Sequence, residues 1–373
     1  MKPPMMLYIH IPFCARKCLY CDFLSGYGSE EEKESYVRSL LQEISLVKEP
    51  VGRYISSVYI GGGTPTVIPA KALASVLASV RERFVLTPDC EVSLEVNPGT
   101  VSEKELFLLR EAGVNRLSIG LQSPREQELR VLGRIHGWED FLRVYGEARD
   151  AGFSDLNVDL MYALPGQTPE KWRQNLETVA ALQPEHISAY SLIIEEGTPF
   201  SRMQLSLPGE EEEYTMMEET QDVLSARGYL RYEISNYAKP GYECRHNLGY
   251  WERKEYLGLG LGAASYIGHR RFSNVRDLKT YLGRKGRPSE IRENIRTLDL
   301  QDEMAEFMFL GLRKTEGIRE EDFFGCFHRS IWEVYEKPLT RYLDLGLMYH
   351  RDGRLFLSRH GLQVSNVIMA DFV

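Results

Sequence analysis

The chain has 373 residues, of which 43% are hydrophobic and 27% charged, a composition typical of a globular protein with two or three domains. Its net charge of −9 argues against a protein that coats nucleic acid, because phosphate binding depends on Lys and Arg. No stretch approaches the roughly 20 apolar residues of a membrane span. The apolar run 5–13 contains Pro12 and lacks a cleavage pattern, so we expect no secretory signal.

Between residues 7 and 228, short β-rich runs alternate with amphipathic helical patterns. A capping box of Ser29 and Glu32, Pro169, and the acidic run 210–213 mark helix starts. Six β-then-α units predict an α/β fold with parallel strands and right-handed crossovers. The predicted strands are 7–13, 55–61, 91–96, 116–122, 155–163 and 186–194. The predicted helices are 31–48, 69–83, 102–112, 138–151, 169–182 and 211–227.

The alternation ends after residue 228. Residues 229–239 are predicted as a strand and 240–256 as a loop. The Gly-rich sequence that follows is predicted as strands and turns. From residue 298 the pattern predicts helices at 302–314 and 329–346, a hairpin at 347–358 and a last helix, which together resemble a winged helix. We therefore predict three units, 1–228, 229–297 and 298–373. The last lacks a concentrated basic helix, so DNA binding has little support.

One segment carries a strong positive charge, the stretch 269–287 with seven Lys or Arg against Asp277. We interpret it as a solvated face. The alternative is a contact with an anionic ligand or with membrane headgroups.

Three of the six cysteines, Cys14, Cys18 and Cys21, follow the first predicted strand with the spacing C-x3-C-x2-C. This spacing puts three thiolates on one loop and favours an iron-sulfur cluster. Zinc is the main alternative, with His10 as a fourth ligand, and a disulfide is the third. The other cysteines are scattered along the chain, which favours the reducing cytosol over a secreted disulfide scaffold.

Four other predicted strands also end in polar or glycine-rich segments, namely "GGGTPT", "EVNP", "GLQS" and "NVDLMYALPGQTP". In an (β/α) barrel the carboxyl ends of the strands carry the chemistry. Glycines without Cβ atoms let backbone approach a ligand closely, and carboxylate, amide and guanidinium groups can hold its polar parts. The candidate ligand contacts are Gly61, Gly62, Gly63, Thr64, Glu95, Gln122, Arg134 and Asp159.

With these motifs the chain resembles the radical S-adenosylmethionine superfamily, whose members carry C-x3-C-x2-C after the first strand of a partial (β/α)6 barrel. The resemblance narrows to the oxygen-independent coproporphyrinogen III oxidase-like group through "YIHIPFC", "GGGTPT", "LEVNP", "RLSIGLQS", "LGRIH" and "DLMYALPGQT". It implies a [4Fe-4S] cluster whose open iron is chelated by S-adenosylmethionine (SAM). It also places Tyr8, Gly63, Thr64, Glu95, Gln122, Arg134 and Asp159 on SAM contacts, with Tyr20 beside the cluster.

The chain departs from the true oxidases in two places. Phe23 stands where an oxidase has a further cysteine, and only six residues precede Leu7. Both departures put porphyrinogen decarboxylation in doubt. That reaction, by a radical enzyme acting on a porphyrinogen propionate, is the alternative function.

The motif H-N-x-x-Y-W instead resembles the heme chaperone branch of the group, and here it comprises His246, Asn247, Tyr250 and Trp251. A neutral imidazole is a common axial haem ligand, and Tyr and Trp offer flat apolar faces. Without the family context, a hydrogen-bonded histidine in an aromatic cluster is the simpler interpretation. Cys244 could supply a thiolate, although a plain buried cysteine is the simpler interpretation there, and the attachment pattern C-x-x-C-H is absent.

The resemblance implies a cytoplasmic protein that binds haem b, a [4Fe-4S] cluster and SAM, and that passes haem to acceptor proteins. Membrane-bound respiratory enzymes are among the acceptors that it suggests. A peripheral membrane contact and a homodimer are left open, and nucleic acid is not an expected partner.

Overall fold

A computed structural model describes residues 3–49 and 52–373. Six parallel strands form the centre of its large sheet and are joined by helices, as the alternating pattern predicts. The strands are β1 (Met5–Ile11), β2 (Tyr54–Gly62), β3 (Val85–Val96), β4 (Arg116–Gln122), β5 (Leu156–Tyr162) and β6 (His186–Ser191). The helices are α1 (Glu30–Leu46), α2 (Ala70–Arg83), α3 (Glu103–Glu111), α4 (Glu126–Leu132), α5 (Trp138–Asp150), α6 (Pro169–Ala180) and α7 (Glu210–Ser225).

The predicted helix starts are confirmed at three places. Ser29 and Glu32 form the capping box of α1, Pro169 is the first residue of α6, and the acidic run 210–213 forms the first turn of α7. Short 3-10 turns at Pro65–Val67 and Phe200–Arg202 lie in the connections.

The central strands have one apolar and one polar face. Leu7, Val58 and Leu94 point outward into the main core beneath the helices. Alternate residues such as Tyr59 and Glu95 point to the opposite face, because side chains alternate along a strand. Side chains from β2 to β6 line one shared cavity, so the sheet curves around a polar interior.

Beyond the sixth strand the chain extends this sheet at both edges. The segment after residue 228 contains β7 (Leu230–Arg231), β8 (Asn236–Ala238), α8 (Arg245–Trp251), β9 (Tyr256–Leu259), β10 (Ala264–Ile267), β11 (Arg270–Asn274), α9 (Leu278–Gly283), α10 (Pro288–Ile291) and β12 (Arg292–Thr297). The strand order is β12-β11-β10-β9-β1-β2-β3-β4-β5-β6-β8-β7, with β9 parallel to β1 and the outer strands antiparallel.

Two predictions for this segment need correction. The predicted strand 229–239 is a hairpin of two short strands, because the chain turns between β7 and β8. The predicted loop 240–256 contains the helix α8. Its Arg245 and His246 amides donate to the Glu91 carboxylate at 2.8 Å and 3.1 Å, so a residue distant in sequence satisfies the start of the helix.

The C-terminal residues form a smaller unit with its own core around Met308, Phe323, Leu339 and Leu355. A three-stranded antiparallel sheet of order β13-β15-β14 packs with helices here, and α12 was not predicted. The elements are α11 (Leu300–Gly311), β13 (Ile318–Arg319), α12 (Glu320–Phe327), α13 (Ile331–Asp344), β14 (Met348–Arg351), β15 (Arg354–Leu357), α14 (Arg359–Gln363) and α15 (Ser365–Ala370). Among the described helices, none is long and apolar enough to cross a bilayer.

Candidate functional site

The loop between β1 and α1 carries the three clustered cysteines, each partly exposed. Backbone bonds hold this loop in place: the Cys14 amide donates to Gly26 O at 2.9 Å, and the Leu19 amide donates to Leu132 O at 3.1 Å. The Lys17 ammonium donates to Phe23 O and Ser25 O at 3.0 Å and 3.2 Å. The loop therefore presents its thiols at the carboxyl edge of the parallel strands.

Two predicted site residues touch these sulfurs. Thr64 Oγ1 lies 3.6 Å from Cys14 Sγ, and Arg134 Nη1 lies 3.4 Å from Cys18 Sγ. Asn97, which the sequence did not single out, joins them by donating to Thr64 Oγ1 at 2.6 Å and accepting from Arg134. A hydroxyl and a guanidinium group therefore lie directly beside two of the three sulfurs. Burial raises the pKa of the Cys21 thiol above its ordinary value.

The thiols fit a cubic cluster better than a single ion. Within residues 3–49 and 52–373, no group of three His, Cys, Asp or Glu side chains is placed to hold one metal ion. A cubic cluster takes each cysteine at a separate iron, so its ligands stand farther apart than those of one zinc ion. His10 is also engaged, since its Nδ1 lies 3.0 Å from Tyr8 OH and its Nε2 lies 2.8 Å from Leu24 O.

The three consecutive glycines are each explained by close packing within the protein. A Cβ on Gly61 would lie 2.7 Å from the Glu95 carboxylate, and one on Gly63 would lie 2.5 Å from Phe13 O. Gly62 has φ +113°, and its Cβ would lie 2.4 Å from the His10 ring. Packing within the protein therefore accounts for all three glycines without a bound ligand.

A cavity of about 340 Å³ opens beside the cysteine loop, and Tyr20, Glu95, Gln122 and Asp159 all line it. The structure therefore brings three of the predicted SAM contacts together with Tyr20, the residue predicted to lie beside the cluster. Tyr8 is not among the residues that line this cavity, and its ring lies 6.4 Å from that of Tyr59. Gln122 has φ +74° at an irregularity in the β4–β5 pairing. This backbone conformation is strained for a residue other than glycine, and such strain is concentrated at functional sites.

The cavity carboxylates of Glu95 and Asp159 are partly exposed and held by hydrogen bonds. Glu95 accepts from Tyr59 OH and from the Gly62 amide, both at 3.0 Å. Burial, reinforced by the charge of Asp159, raises the pKa of Glu95 to about 7. Burial also raises the pKa of Asp159, which accepts from Ser118 and Asn157 at 3.0 Å and 2.8 Å. A cationic ligand would stabilise this pair in its charged form.

Sequence reasoning missed further cavity residues, Tyr59 and Arg116 among them. Arg116 is only 2% exposed, and its Nε has no acceptor among the described residues, with Asp155 Oδ1 at 3.7 Å. The alternation of side chains along β2 and β4 could have identified both residues. It places Tyr59 on the polar face with Gly61, and Arg116 on that face with Ser118.

The H-N-x-x-Y-W residues lie on α8, which packs against the amino-terminal half of β1 and β2. His246 is 1% exposed, with Nδ1 2.8 Å from Ser57 Oγ and Nε2 3.1 Å from Tyr250 OH. Its ring stacks on Tyr59 at 5.2 Å. Burial, followed by the charge of Arg116, lowers the pKa of His246 to about 3, so the imidazole is neutral at ordinary pH.

The motif does not surround one open space. Asn247 lines the cavity beside the cysteine loop, whereas Trp251 lines a separate crevice of about 570 Å³ against the C-terminal unit. His246 and Tyr250 bond to each other between these spaces. Cys244 is fully buried, and its thiol lies 3.6 Å from Glu91 Oε1.

The cysteine loop and the curved parallel sheet define a radical SAM protein. The family model described as "Radical SAM superfamily" matches residues 8–179, and the model "HemN C-terminal domain" matches residues 298–364. The solved structure of coproporphyrinogen III oxidase (HemN) from Escherichia coli, a radical SAM enzyme, superposes with a TM-score of 0.88 at 25% identity. The match covers all of this chain and 90% of that one.

Full-length relatives narrow the assignment. The heme chaperone HemW of Lactococcus lactis is 34% identical across 100% of this chain and 98% of its own. The HemW of Bacillus subtilis is 36% identical with 98% of each chain covered, and that of Escherichia coli is 38% identical with 87% and 86% covered. The chain belongs to the heme chaperone HemW family, which confirms the resemblance seen in the sequence.

Proposed function

We propose that this chain is a heme chaperone that binds haem and transfers it to acceptor haem proteins, with respiratory enzymes among the acceptors. The observation that carries the proposal is the full-length similarity to proteins named heme chaperone HemW. The retained H-N-x-x-Y-W motif on α8 supports it, as does Phe23 at the position of the oxidases' extra cysteine.

The proposal assigns a [4Fe-4S] cluster to Cys14, Cys18 and Cys21. When bound together, the cluster and SAM supply reductive cleavage of the sulfonium. The chain's own part is to place Thr64 and Arg134 against the sulfurs and to present the Glu95 and Asp159 carboxylates to a cationic ligand in the cavity. The residues proposed for SAM are Tyr8, Tyr20, Gly61, Gly62, Gly63, Thr64, Glu95, Gln122, Arg134 and Asp159.

Haem is proposed to bind through His246, Asn247, Tyr250 and Trp251. His246 offers a neutral imidazole, as iron ligation requires. Both ring nitrogens already have partners, so coordination at Nε2 requires Tyr250 OH to move away. Haem ligation by His246 is therefore coupled to a rearrangement of α8.

Finer interpretations belong to the same proposal. We treat the parallel strands as a partial (β/α)6 barrel, residues 1–228, 229–297 and 298–373 as separate units, and the last as winged-helix-like. We place the protein in the cytoplasm. Arg270, Arg276, Lys279, Lys285 and Arg287 are exposed, which leaves a peripheral contact with anionic headgroups available. A homodimer also remains a proposal.

Haem titration of the cluster-loaded protein tests the function. We expect a Soret change that saturates near one equivalent, and a different spectrum or weaker binding for His246→Ala and Trp251→Ala. His360→Ala, at an exposed histidine, is the matched control. No Soret change in the wild-type protein, or the same titration in both variants, would overturn the assignment.

The superposition on coproporphyrinogen III oxidase supports a second candidate, decarboxylation of a porphyrinogen. An anaerobic assay with dithionite and SAM separates the two functions. Consumption of coproporphyrinogen would establish the oxidase, whereas 5′-deoxyadenosine formed without it would leave the chaperone in place.

A further inference from the structure

Asn97 lies at the centre of a hydrogen-bond network beside the cysteine loop. The Arg134 guanidinium donates to its side-chain oxygen Oδ1, and its side-chain nitrogen Nδ2 donates to Thr64 Oγ1 at 2.6 Å. Thr64 Oγ1 lies 3.6 Å from Cys14 Sγ, and Arg134 Nη1 lies 3.4 Å from Cys18 Sγ. One amide side chain therefore connects the two groups that touch the sulfurs.

The donors and acceptors of this network follow from the chemistry of its groups. A guanidinium group only donates, so the Asn97 atom that faces Arg134 must be the amide oxygen. The amide nitrogen then faces Thr64 and donates to its hydroxyl oxygen. A hydroxyl group has one hydrogen of its own, and here that hydrogen is left to point at Cys14 Sγ. Asn97 thus favours the orientation in which Thr64 donates to the sulfur.

The surrounding backbone holds this network in place. Asn97 follows β3, and its carbonyl oxygen accepts from the Thr100 amide at 3.1 Å and from the Thr100 hydroxyl at 2.7 Å. The Thr64 amide donates to Phe13 O at 2.7 Å, which fixes Thr64 beside the start of the cysteine loop. A Cβ on Gly120 would lie 3.0 Å from Asn97 Oδ1, so the glycine leaves the space that the amide occupies. The Asn97 side chain is therefore held in one position by its own turn and by its neighbours.

We propose that Asn97 is a positioning residue for the iron-sulfur cluster: it directs the Thr64 hydroxyl to Cys14 Sγ and thereby raises the reduction potential of the cluster. Hydrogen bonds to the sulfurs are among the features that set this potential, because they stabilise the form that carries the extra electron. The proposal rests on the proposed function, which assigns the cluster to the three cysteines. It adds a residue that is not among those lining the cavity beside the cysteine loop.

The test compares the effect of Thr64→Val on the midpoint potential in two backgrounds. In otherwise wild-type protein, this substitution removes the hydroxyl and should lower the potential, because one hydrogen bond to a sulfur is lost. Asn97→Asp replaces the amide donor by a carboxylate, which only accepts, so the Thr64 hydroxyl turns from the sulfur to the new carboxylate. In that background Thr64→Val should shift the potential by no more than about half as much. The added negative charge is common to both members of the second pair and cancels from the comparison.

Redox titration of the reconstituted protein without SAM, monitored by electron paramagnetic resonance, measures these potentials. Iron and sulfide analysis checks the cluster content of each variant first. Thr64→Ser keeps the hydroxyl and should retain the wild-type potential.

Thr198→Val is the matched control, because it removes another buried hydroxyl near the cysteine loop. Thr198 is 2% exposed, and its hydroxyl donates to Glu195 O at 2.7 Å instead of to a sulfur. Its loop also contacts the cysteine loop, since the Phe200 amide donates to Leu19 O at 3.0 Å. Thr198→Val should therefore leave the potential unchanged.

The outcomes separate the role of Asn97 from the cluster assignment. Equal Thr64→Val shifts in the two backgrounds, no shift in the wild-type background, or a comparable shift from Thr64→Ser or Thr198→Val would overturn the role of Asn97 and leave the cluster standing. Loss of the cluster in Asn97→Asp or Thr64→Val would also overturn it, because a residue that only orients a hydroxyl is not needed to hold iron. Reconstituted wild-type protein without iron and sulfide would overturn both the cluster assignment and the role of Asn97.

Discussion

The two ends of the parallel sheet are built in opposite ways. At the carboxyl end, the cysteine loop holds three partly exposed thiols with few side-chain bonds. At the amino end, α8 buries His246 with both ring nitrogens paired and its backbone amide capped by Glu91. The first end is arranged to accept ligands from outside, whereas the second is a closed polar core that must rearrange before His246 can meet one.

The largest expected effect is at the cysteine end. Cys14→Ser should abolish the iron-sulfur cluster, because a serine hydroxyl replaces a thiolate ligand. Iron and sulfide analysis with absorption spectroscopy of anaerobically reconstituted protein measures this. The fold should survive, since the Cys14 side chain is partly exposed and its backbone bond to Gly26 remains. Cys326→Ser is the matched control and should retain the full cluster content. Loss of the cluster in this variant as well would contradict the prediction.

The next prediction concerns the pH dependence of folding stability, which should have opposite signs at the two ends of the sheet. The folded-state pKa of His246, about 3, lies below its ordinary 6.5, so its contribution to stability is present above pH 6.5 and is lost as pH falls toward 3. The pKa of Glu95, about 7, lies above its ordinary 4.5. Its contribution is present below pH 4.5 and is lost as pH rises through 7. The two slopes offset each other between pH 4.5 and 6.5.

Single variants should expose each slope. In His246→Gln the free energy of unfolding should fall more steeply with rising pH than in the wild type, and in Glu95→Gln it should rise more steeply. Each difference is at most about 1.4 kcal/mol per pH unit. Urea unfolding of ligand-free protein between pH 4.5 and 6.5 measures both. If the two variants changed the slope in the same direction, the contrast between a proton-accepting and a proton-excluding end would be wrong.

The same contrast explains which features the sequence could predict. Cys14, Cys18 and Cys21 are neighbours on one loop, so their spacing alone places them together. The strand-end residues Glu95, Gln122 and Asp159 meet because parallel strands end at one edge. The repeated strand and helix patterns sufficed to find β1 to β6 and their parallel direction.

The helix α8 could not be predicted by the same means. It has only seven residues, and its first amides are satisfied by Glu91, some 150 positions earlier in the chain. The local sequence is rich in Gly and polar residues, and it therefore indicated a loop. Helical geometry then turned the motif's side chains toward different spaces, so spacing in sequence did not translate into one site.

The smallest expected effect tests how firmly α8 is docked. A Cβ on Gly249 would lie 2.1 Å from Met6 Sδ in β1, so Gly249→Ala must displace either the helix or a fully buried side chain. Overpacking of this kind costs about 1 to 3 kcal/mol, which outweighs the gain of roughly 1 kcal/mol in helix propensity.

Gly146 in α5 is the matched control, because nothing lies within 4 Å of its Cβ position. Gly146→Ala should stabilise the protein by up to about 1 kcal/mol through propensity alone. Urea unfolding of both variants gives the signs. Opposite signs place α8 in rigid contact with β1, so that any haem-linked movement of His246 must first break this packing. Equal stabilisation would instead mean that α8 is loosely held and that His246 can reach a ligand without this cost.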